Sequence, residues 1–282
     1  MRRLRNVKIV ATLGPASETY DTIRALFESG ADVFRLNMSH GSHAEIKSKH
    51  TIIRQIEKDL DRPIAILADL QGPKLRCGVF ENGSVDLQND SNFLFDLIDK
   101  PGNQNRVFLP HKEIFNVIKA SDSILVDDGK IRLKVKSVAK NQIKCIVEIG
   151  GRISDKKGIN VPQTIIPTTA LSRKDKIDLE FACNLGIDWL ALSFVQRAKD
   201  VNEARKLAKG RTSILSKIEK PSAVTDFNSI LEVSDGIMIA RGDLGVEMPV
   251  QAIPPIQKRL VMACRHVAKP VIVATQMLDS MV

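Results

Sequence analysis

Aromatic side chains are scarce in this sequence: one Trp, one Tyr and ten Phe make up 4% of its 282 residues. That argues against the stacking platforms on which proteins lay out single-stranded nucleic acid. No apolar run reaches the roughly 18 residues of a membrane-spanning helix. The opening MRRLRNVKIVATLG is basic and then apolar, as a secretory leader is. Its apolar part is too short, however, and runs into strand-like sequence without a cleavage region. It reads as a first strand, and the protein as cytoplasmic with no membrane partner. The four cysteines (Cys77, Cys145, Cys183, Cys264) stand far apart, without the C-x-x-C pair that grips zinc or runs redox chemistry. This favours a reducing compartment, and apolar neighbours predict burial for Cys145, Cys183 and Cys264. Neither G-x-x-x-x-G-K-[ST] nor G-x-G-x-x-G occurs. A bound nucleotide would have to be held by side chains and metal rather than by a glycine-rich nest.

What is present is the balance of a soluble globular chain, 43% hydrophobic and 27% charged. The length suits one large domain, or a large one with a smaller one inserted. Lys and Arg number 42 against 33 Asp and Glu, a net charge of +9. Such a surplus suits nucleic acid, anionic membranes or small phosphorylated ligands. The cations are scattered rather than gathered in one block, which points to a generally basic surface used in part by phosphate ligands, with no nucleic-acid partner.

Up to residue 70, short apolar runs alternate with amphipathic stretches. Strands are predicted at 7–14, 33–39 and 64–70, and helices at 18–29 and from about His43 to Leu60. Ile23, Leu26 and Phe27 form one face of the first helix, and Gly30 stops it. Residues 71–168 change rhythm to short strands and turns, including SILVDDGKIRLKV, a hairpin turning at Asp128-Gly129. This reads as an inserted, all-β, barrel-like lid domain. From 169 to 282 the first rhythm resumes. Ser172 with Asp175 resembles a helix cap, followed by Ile177, Phe181 and Leu185 at four-residue steps. Strands follow at 189–195, 213–220, 236–242 and 270–278. The longest helical stretch puts Ile253, Ile256, Leu260, Cys264 and Val267 on one face. Seven strands alternating with helices make a parallel α/β fold, one strand short of a (β/α)8 TIM-type barrel. The sequence therefore reads as a truncated barrel, in two parts (1–70 and 169–282) around the insert, and this polypeptide alone is expected to be inactive or nearly so.

In such a barrel the site lies where the strands end, and side chains two apart share a face. Polar groups collect there: Arg35, Asn37 and Ser39, then Asp69, Ser193, Lys217 and Glu219, Arg241 and Asp243, and Thr275. One of these could be a solvated strand end; six consecutive strands ending this way point to a site. Glu219 and Asp243 are hard oxygen ligands of the kind Mg²⁺ takes in ones and twos. Lys217 and Arg35 supply positive charge for a phosphoryl group, whose transfer rests on positioning and electrostatics. A Lys217–Glu219 salt bridge is the plainer alternative. The absence of His and Cys from these positions argues against zinc hydrolysis and thiol catalysis.

The runs KIVATLGPAS, FRLNMSHG, DLQGPKLR, KKGINVP, LSFV, SKIEKP, IARGDLG and ATQML, in this order from residue 8 to 278, resemble the pyruvate kinase family. The resemblance implies a (β/α)8 barrel with a β lid after the third strand, and transfer of a phosphoryl group from phosphoenolpyruvate to ADP, giving pyruvate and ATP. It implies that Lys217 stabilises the transferring phosphoryl group and the enolate. Glu219 and Asp243 would hold Mg²⁺, with Mn²⁺ able to replace it. Thr275 would touch substrate near the proton transfer, Arg35 the phosphoryl group, and the backbone at Gly242 the substrate carboxylate, with Ser193 alongside. His40, Arg76 and Lys157 would meet the nucleotide phosphates; Asn37, Ser39 and Asp69 match positions that hold a monovalent cation. The intact enzyme would be a cytoplasmic homotetramer with a C-terminal domain that carries allosteric control.

One departure concerns that cation. Many family members carry threonine and glutamate where this sequence has Leu70 and Lys74. The Lys74 ammonium is expected to stand in for K⁺ and make potassium dispensable. Two other readings stay open: another Mg²⁺-dependent barrel acting on phosphoenolpyruvate or pyruvate, such as a lyase, mutase or aldolase, and a non-catalytic binding fragment.

Overall fold

The computed structural model describes residues 4–39, 41–162, 164–167 and 169–275. The chain begins β1 (Val10–Leu13), α1 (Tyr20–Ser29), β2 (Val33–Asn37), α2 (His43–Asp59) and β3 (Ala65–Asp69). Then follow β4 (Ser84–Leu87), β5 (Asn92–Asp96), β6 (Arg106–Phe108), the short helix α3 (Lys112–Val117), β7 (Ser123–Val126), β8 (Ile131–Ala139), β9 (Gln142–Ile149), β10 (Gly151–Ser154) and β11 (Ile159–Asn160). Strand–helix alternation returns with α4 (Arg173–Leu185), β12 (Trp189–Leu192), α5 (Ala198–Ala208), β13 (Ser213–Ile218), α6 (Pro221–Thr225), α7 (Phe227–Val233) and β14 (Gly236–Ala240). It ends with α8 (Arg241–Glu247), α9 (Ile253–His266) and β15 (Val271–Ala274).

The alternating parts build one seven-stranded sheet in the order β1-β2-β3-β12-β13-β14-β15. Every neighbouring pair is parallel. Helices cover one face, with Phe34, Ile66, Leu190, Ile214 and Ile237 packed against Ile23, Phe27, Ile53 and Leu179 in the main core. On the other face Leu67, Ala191, Leu215 and Met238 form a second, smaller cluster with Val10, Val33 and Ile272. Burial on both faces explains why these strands read as near-continuous apolar runs.

The segment between β3 and α4 has its own core, centred on Phe93, Phe95, Val107, Leu133 and Val147. Its strands form a six-stranded sheet, β11-β7-β8-β9-β5-β6, and a two-stranded one, β10-β4. Pairing is antiparallel except for β5 with β6. The β7–β8 hairpin turns through Asp127, Asp128 and Gly129, all at positive φ, which Asp and Gly tolerate best. The single helix α3 departs from an all-β reading.

The predicted helix faces need correction in two places. Ile177 is 56% exposed; α4 instead buries Asp175, Asp178, Leu179, Ala182 and Cys183. Its start is the expected capping box of Ser172 and Asp175, and Asp178 is buried because His43 and Lys174 bind it. Val267 lies past the end of α9 and is exposed, whereas Ile253, Leu260 and Cys264 are buried. All four cysteines are buried and free, Cys77 included. Among the described residues, no helix is long and apolar enough to cross a membrane.

Candidate active site

Side chains two apart along a strand share a face, so the small inner cluster predicts what stands above it. One step beyond Val10, Val33, Leu67, Ala191 and Leu215 come Thr12, Arg35, Asp69, Ser193 and Lys217, and one further step beyond Lys217 comes Glu219. An apolar layer thus floors a polar one at the carboxyl ends of the strands.

Lys217 is its centre. Its Nζ lies 2.9 Å from Glu219 Oε1, 2.8 Å from Ser193 Oγ, and 3.1 and 3.2 Å from the two oxygens of Asp69. The salt bridge to Glu219 is therefore present, within a larger network. Arg35 closes it from the side: Nε donates to Asp69 Oδ2 at 2.7 Å and a terminal nitrogen donates to Thr12 Oγ1 at 3.0 Å. Ser193 Oγ lies 2.7 Å from the Leu70 carbonyl and 3.3 Å from Asp69 Oδ1. Lys217 is only 8% exposed, Glu219 2% and Asp69 1%, so the network is buried and its charges depend on one another.

Burial by itself would lower the pKa of Lys217; the carboxylates of Glu219 and Asp69 outweigh it and raise the pKa above the ordinary lysine value, so the ammonium stays charged. Glu219 shifts upward, chiefly through burial and further through the charge of Asp243, with Lys217 opposing. Asp243 is thus close enough to feel Glu219. Among the described residues, no three acidic, His or Cys side chains gather to hold a metal unaided. Two carboxylates that repel each other, one of them buried, nonetheless suit Mg²⁺, which takes one or two and fills its octahedron with water and ligand oxygens.

Two backbone features shape the site. Phe194 sits at φ 56°, an outlier for a bulky residue, and its N–H donates to Glu219 Oε2 at 2.7 Å. Its ring lies against Gly72, where φ is +70° and an added Cβ would come within 2.7 Å of the ring. Thr275, also at positive φ, accepts a hydrogen bond from the Gly242 N–H at 3.0 Å on its Oγ1. Arg241 and Asp243 are not strand residues: β14 stops at Ala240, and both belong to the first turn of α8. Arg241 donates to the Thr275 carbonyl.

The other sequence-predicted residues are more dispersed. Asn37 Oδ1 accepts from the Ser39 N–H at 3.0 Å, just beyond β2, while Asp69 is engaged by Arg35 and Lys217. Lys157 pairs with Asp127 at 2.8 Å within the insert, and Arg76 donates to the Lys156 carbonyl. Neither bonds to the strand-end network among the described residues. His40 lies outside the described residues, as do 276–278 at the predicted end of the last strand. Lys74 passes beside the Gly158 backbone and lines a cavity between insert and strand ends, together with Asp128, Gln196 and Asp243.

Sequence reasoning missed Thr12, Phe194 and a set in which the half-buried Asn160 meets the buried Lys220 and Glu247. Thr12 was legible, since it stands two residues past Val10 as Arg35 does past Val33. Phe194 lies within the LSFV run, but nothing in the sequence marks its positive φ or its bond to Glu219.

Fold and site together define an α/β-barrel sheet with a β-rich segment inserted after its third strand and a buried, charged cluster at its strand ends. The profile of the family described as "Pyruvate kinase, barrel domain" matches residues 4–282. The chain is 51% identical over 282 residues to the pyruvate kinase of Methylorubrum extorquens and 49% over 283 residues to one of Agrobacterium vitis, all of this chain being covered in both. It is 44% identical to that of Corynebacterium glutamicum, with 99% of the chain covered. The chain belongs to the pyruvate kinase family. It spans 59% of the length of these relatives.

Proposed function

We propose that this chain carries the catalytic groups for Mg²⁺-dependent phosphoryl transfer from phosphoenolpyruvate to ADP, giving pyruvate and ATP. The supporting observation is the buried Lys217 ammonium, held at the strand ends by Asp69, Ser193 and Glu219 beside the second carboxylate of Asp243. A preorganised charge in a dry site stabilises a phosphoryl group in flight, and an enolate, far better than one in water. Lys217 has three N–H donors and four acceptor atoms around it, so an incoming oxygen can take over a shared bond without leaving the ammonium unpaired. Arg35, the more exposed cation, reaches the phosphoryl group. Glu219 and Asp243 hold the Mg²⁺, or Mn²⁺ in its place; when bound, the ion neutralises charge on the substrate oxygens as a Lewis acid. The backbone around Gly242 receives the substrate carboxylate, and the Thr275 hydroxyl lies beside the carbon that is protonated, with Ser193 completing the substrate contacts.

Residues 71–168 serve as a lid that brings Arg76 and Lys157 to the nucleotide phosphates, with His40 on the barrel side. Asn37, Ser39 and Asp69 stand at the monovalent-cation position, and the Lys74 ammonium in the cleft makes K⁺ dispensable. The active protein is a cytoplasmic homotetramer. Pyruvate formation by the protein from its native source should require phosphoenolpyruvate, ADP and Mg²⁺ together and vanish in Lys217→Met. Product release without a nucleoside diphosphate would overturn this reading in favour of a lyase, mutase or aldolase. A many-fold rise in activity on adding K⁺ at constant ionic strength would overturn the role given to Lys74 alone.

A further inference from the structure

Lys220 directly follows Glu219, so its side chain leaves the chain on the other side. It is buried, and its Nζ sits 2.8 and 3.0 Å from the two carboxylate oxygens of Glu247, the last residue of α8. Glu247 Oε1 accepts a third bond, at 2.9 Å, from Asn160 Nδ2 in β11. A buried ion pair of the barrel therefore offers one acceptor to the insert. The hairpin tip passes close by: a methyl group built on Gly129 would lie 3.6 Å from Val246 of α8. Farther along the chain, the return crossing is pinned separately: the Ile166 N–H donates to Gln196 Oε1 at 3.2 Å, and Gln196 Nε2 donates to the Ile166 carbonyl at 3.0 Å.

The chemistry of this trio suits a contact that opens and closes. A hydrogen bond to a carboxylate is charge-assisted and stronger than a neutral one. Yet when Asn160 withdraws, Glu247 keeps Lys220, so no buried charge is left unpaired, the outcome that makes breaking most buried ion pairs costly. Asp243 and Glu247 lie four residues apart and so on one face of α8.

We propose that Asn160, Glu247 and Lys220 form a latch that holds the insert against α8 and fixes the position of Asp243. Asn160 is then a positioning residue, acting through Glu247 and not on the substrate. The kinetic consequence rests on the function proposed above; the latch itself does not.

The test is amide hydrogen exchange in the ligand-free protein, comparing wild type with Asn160→Ala, Asn160→Asp and the double variant Asn160→Asp/Glu247→Gln. Asn160→Asp sets two carboxylates against each other and should speed exchange about tenfold in residues 241–247 and 158–161, leaving α2 and α5 unchanged. Asn160→Ala should give a smaller rise at the same places. The double variant moves the carboxylate to the insert, where it takes an amide from Gln in place of the repulsion, and should return exchange to near wild type. Unchanged exchange in Asn160→Asp, a rise spread evenly over the whole chain, or no recovery in the double variant would each overturn the latch. Where the wild type turns over, Asn160→Asp should raise the apparent KM for Mg²⁺ about tenfold with a much smaller change in kcat; a fall in kcat alone overturns the link to Asp243. A wild type without turnover would count against the proposed function, while the exchange result would still decide the latch.

Discussion

The seven-stranded sheet and the β8–β9 hairpin of the insert handle charge in opposite ways; elsewhere the insert, too, buries a paired charge, Asp96 with Arg106. Along β8 and β9 of the insert, buried Leu133, Val135, Cys145 and Val147 alternate with exposed or half-exposed Arg132, Lys134, Lys136, Lys144 and Glu148. Each charge there faces water, and needs no partner. In the parallel sheet both faces are covered, so a charge has nowhere to go except the strand ends, and there it is paired with a buried counter-charge: Arg35 with Asp69, Lys217 with Glu219. A lysine in a two-sided strand therefore marks a site, whereas a lysine in a one-sided strand marks only the wet face.

The sharpest way to break this comparison is to remove one lysine of each kind. Lys217→Met leaves Asp69 and Glu219 buried without their shared cation, and should destabilise the chain by about 3–5 kcal/mol in denaturant titration. Lys144→Met, on the wet face, should stay within about 0.5 kcal/mol. Equal losses would mean that the burial of the strand ends has been misjudged. Next in size, Leu133→Ala opens a cavity in the insert's own core, at about 2–5 kcal/mol. Because that core is separate from the main one, unfolding should split into two transitions, seen by tracking insert and barrel amides separately. A single coincident transition would show the two regions to be one cooperative unit.

Gly72→Ala tests the seam between them. Positive φ and a Cβ 2.7 Å from the Phe194 ring together predict a loss of about 1–3 kcal/mol, with altered exchange at Ser193 and Phe194. The smallest effect is one of sign. Lys157 holds the Asp127 pKa below its usual 3.8 against the opposing effect of burial, with Lys130 adding to the lowering, so its contribution is present above that value and is lost as pH falls through the lowered one. Glu219 is shifted upward, chiefly by burial, so its contribution is present below its usual 4.5 and is lost as pH rises through the raised value. Asp127→Asn should flatten the acid slope of the insert alone, and Glu219→Gln a slope of opposite sign in the barrel. Slopes of the same sign would contradict the assignment of these two environments.

How much of this was legible follows from the same contrast. The seven strands could be read because two-sided strands write themselves as apolar runs, and the network residues because they interrupt those runs at two-residue steps, as Lys217 and Glu219 do. The start of α8 was not legible: GIMIARGD continues the strand pattern, and only the structure shows Arg241 turning into a helix. The buried stripe of α4 was missed because it contains Asp175 and Asp178, whose burial depends on partners distant in sequence. Asn160 and Glu247 were missed for the same reason. Their contact spans 87 residues, and nothing local announces it.

The seam at Gly72 has a mechanical meaning. The Phe194 ring rests on the bare backbone of Gly72, and the Phe194 N–H is fastened to Glu219. Packed protein interiors are nearly incompressible, so a tilt where the chain enters the insert has no soft material to dissipate in before it reaches that carboxylate. The joint behaves like a lever with a one-residue arm, and any side chain at position 72 would act as a wedge driven into its pivot.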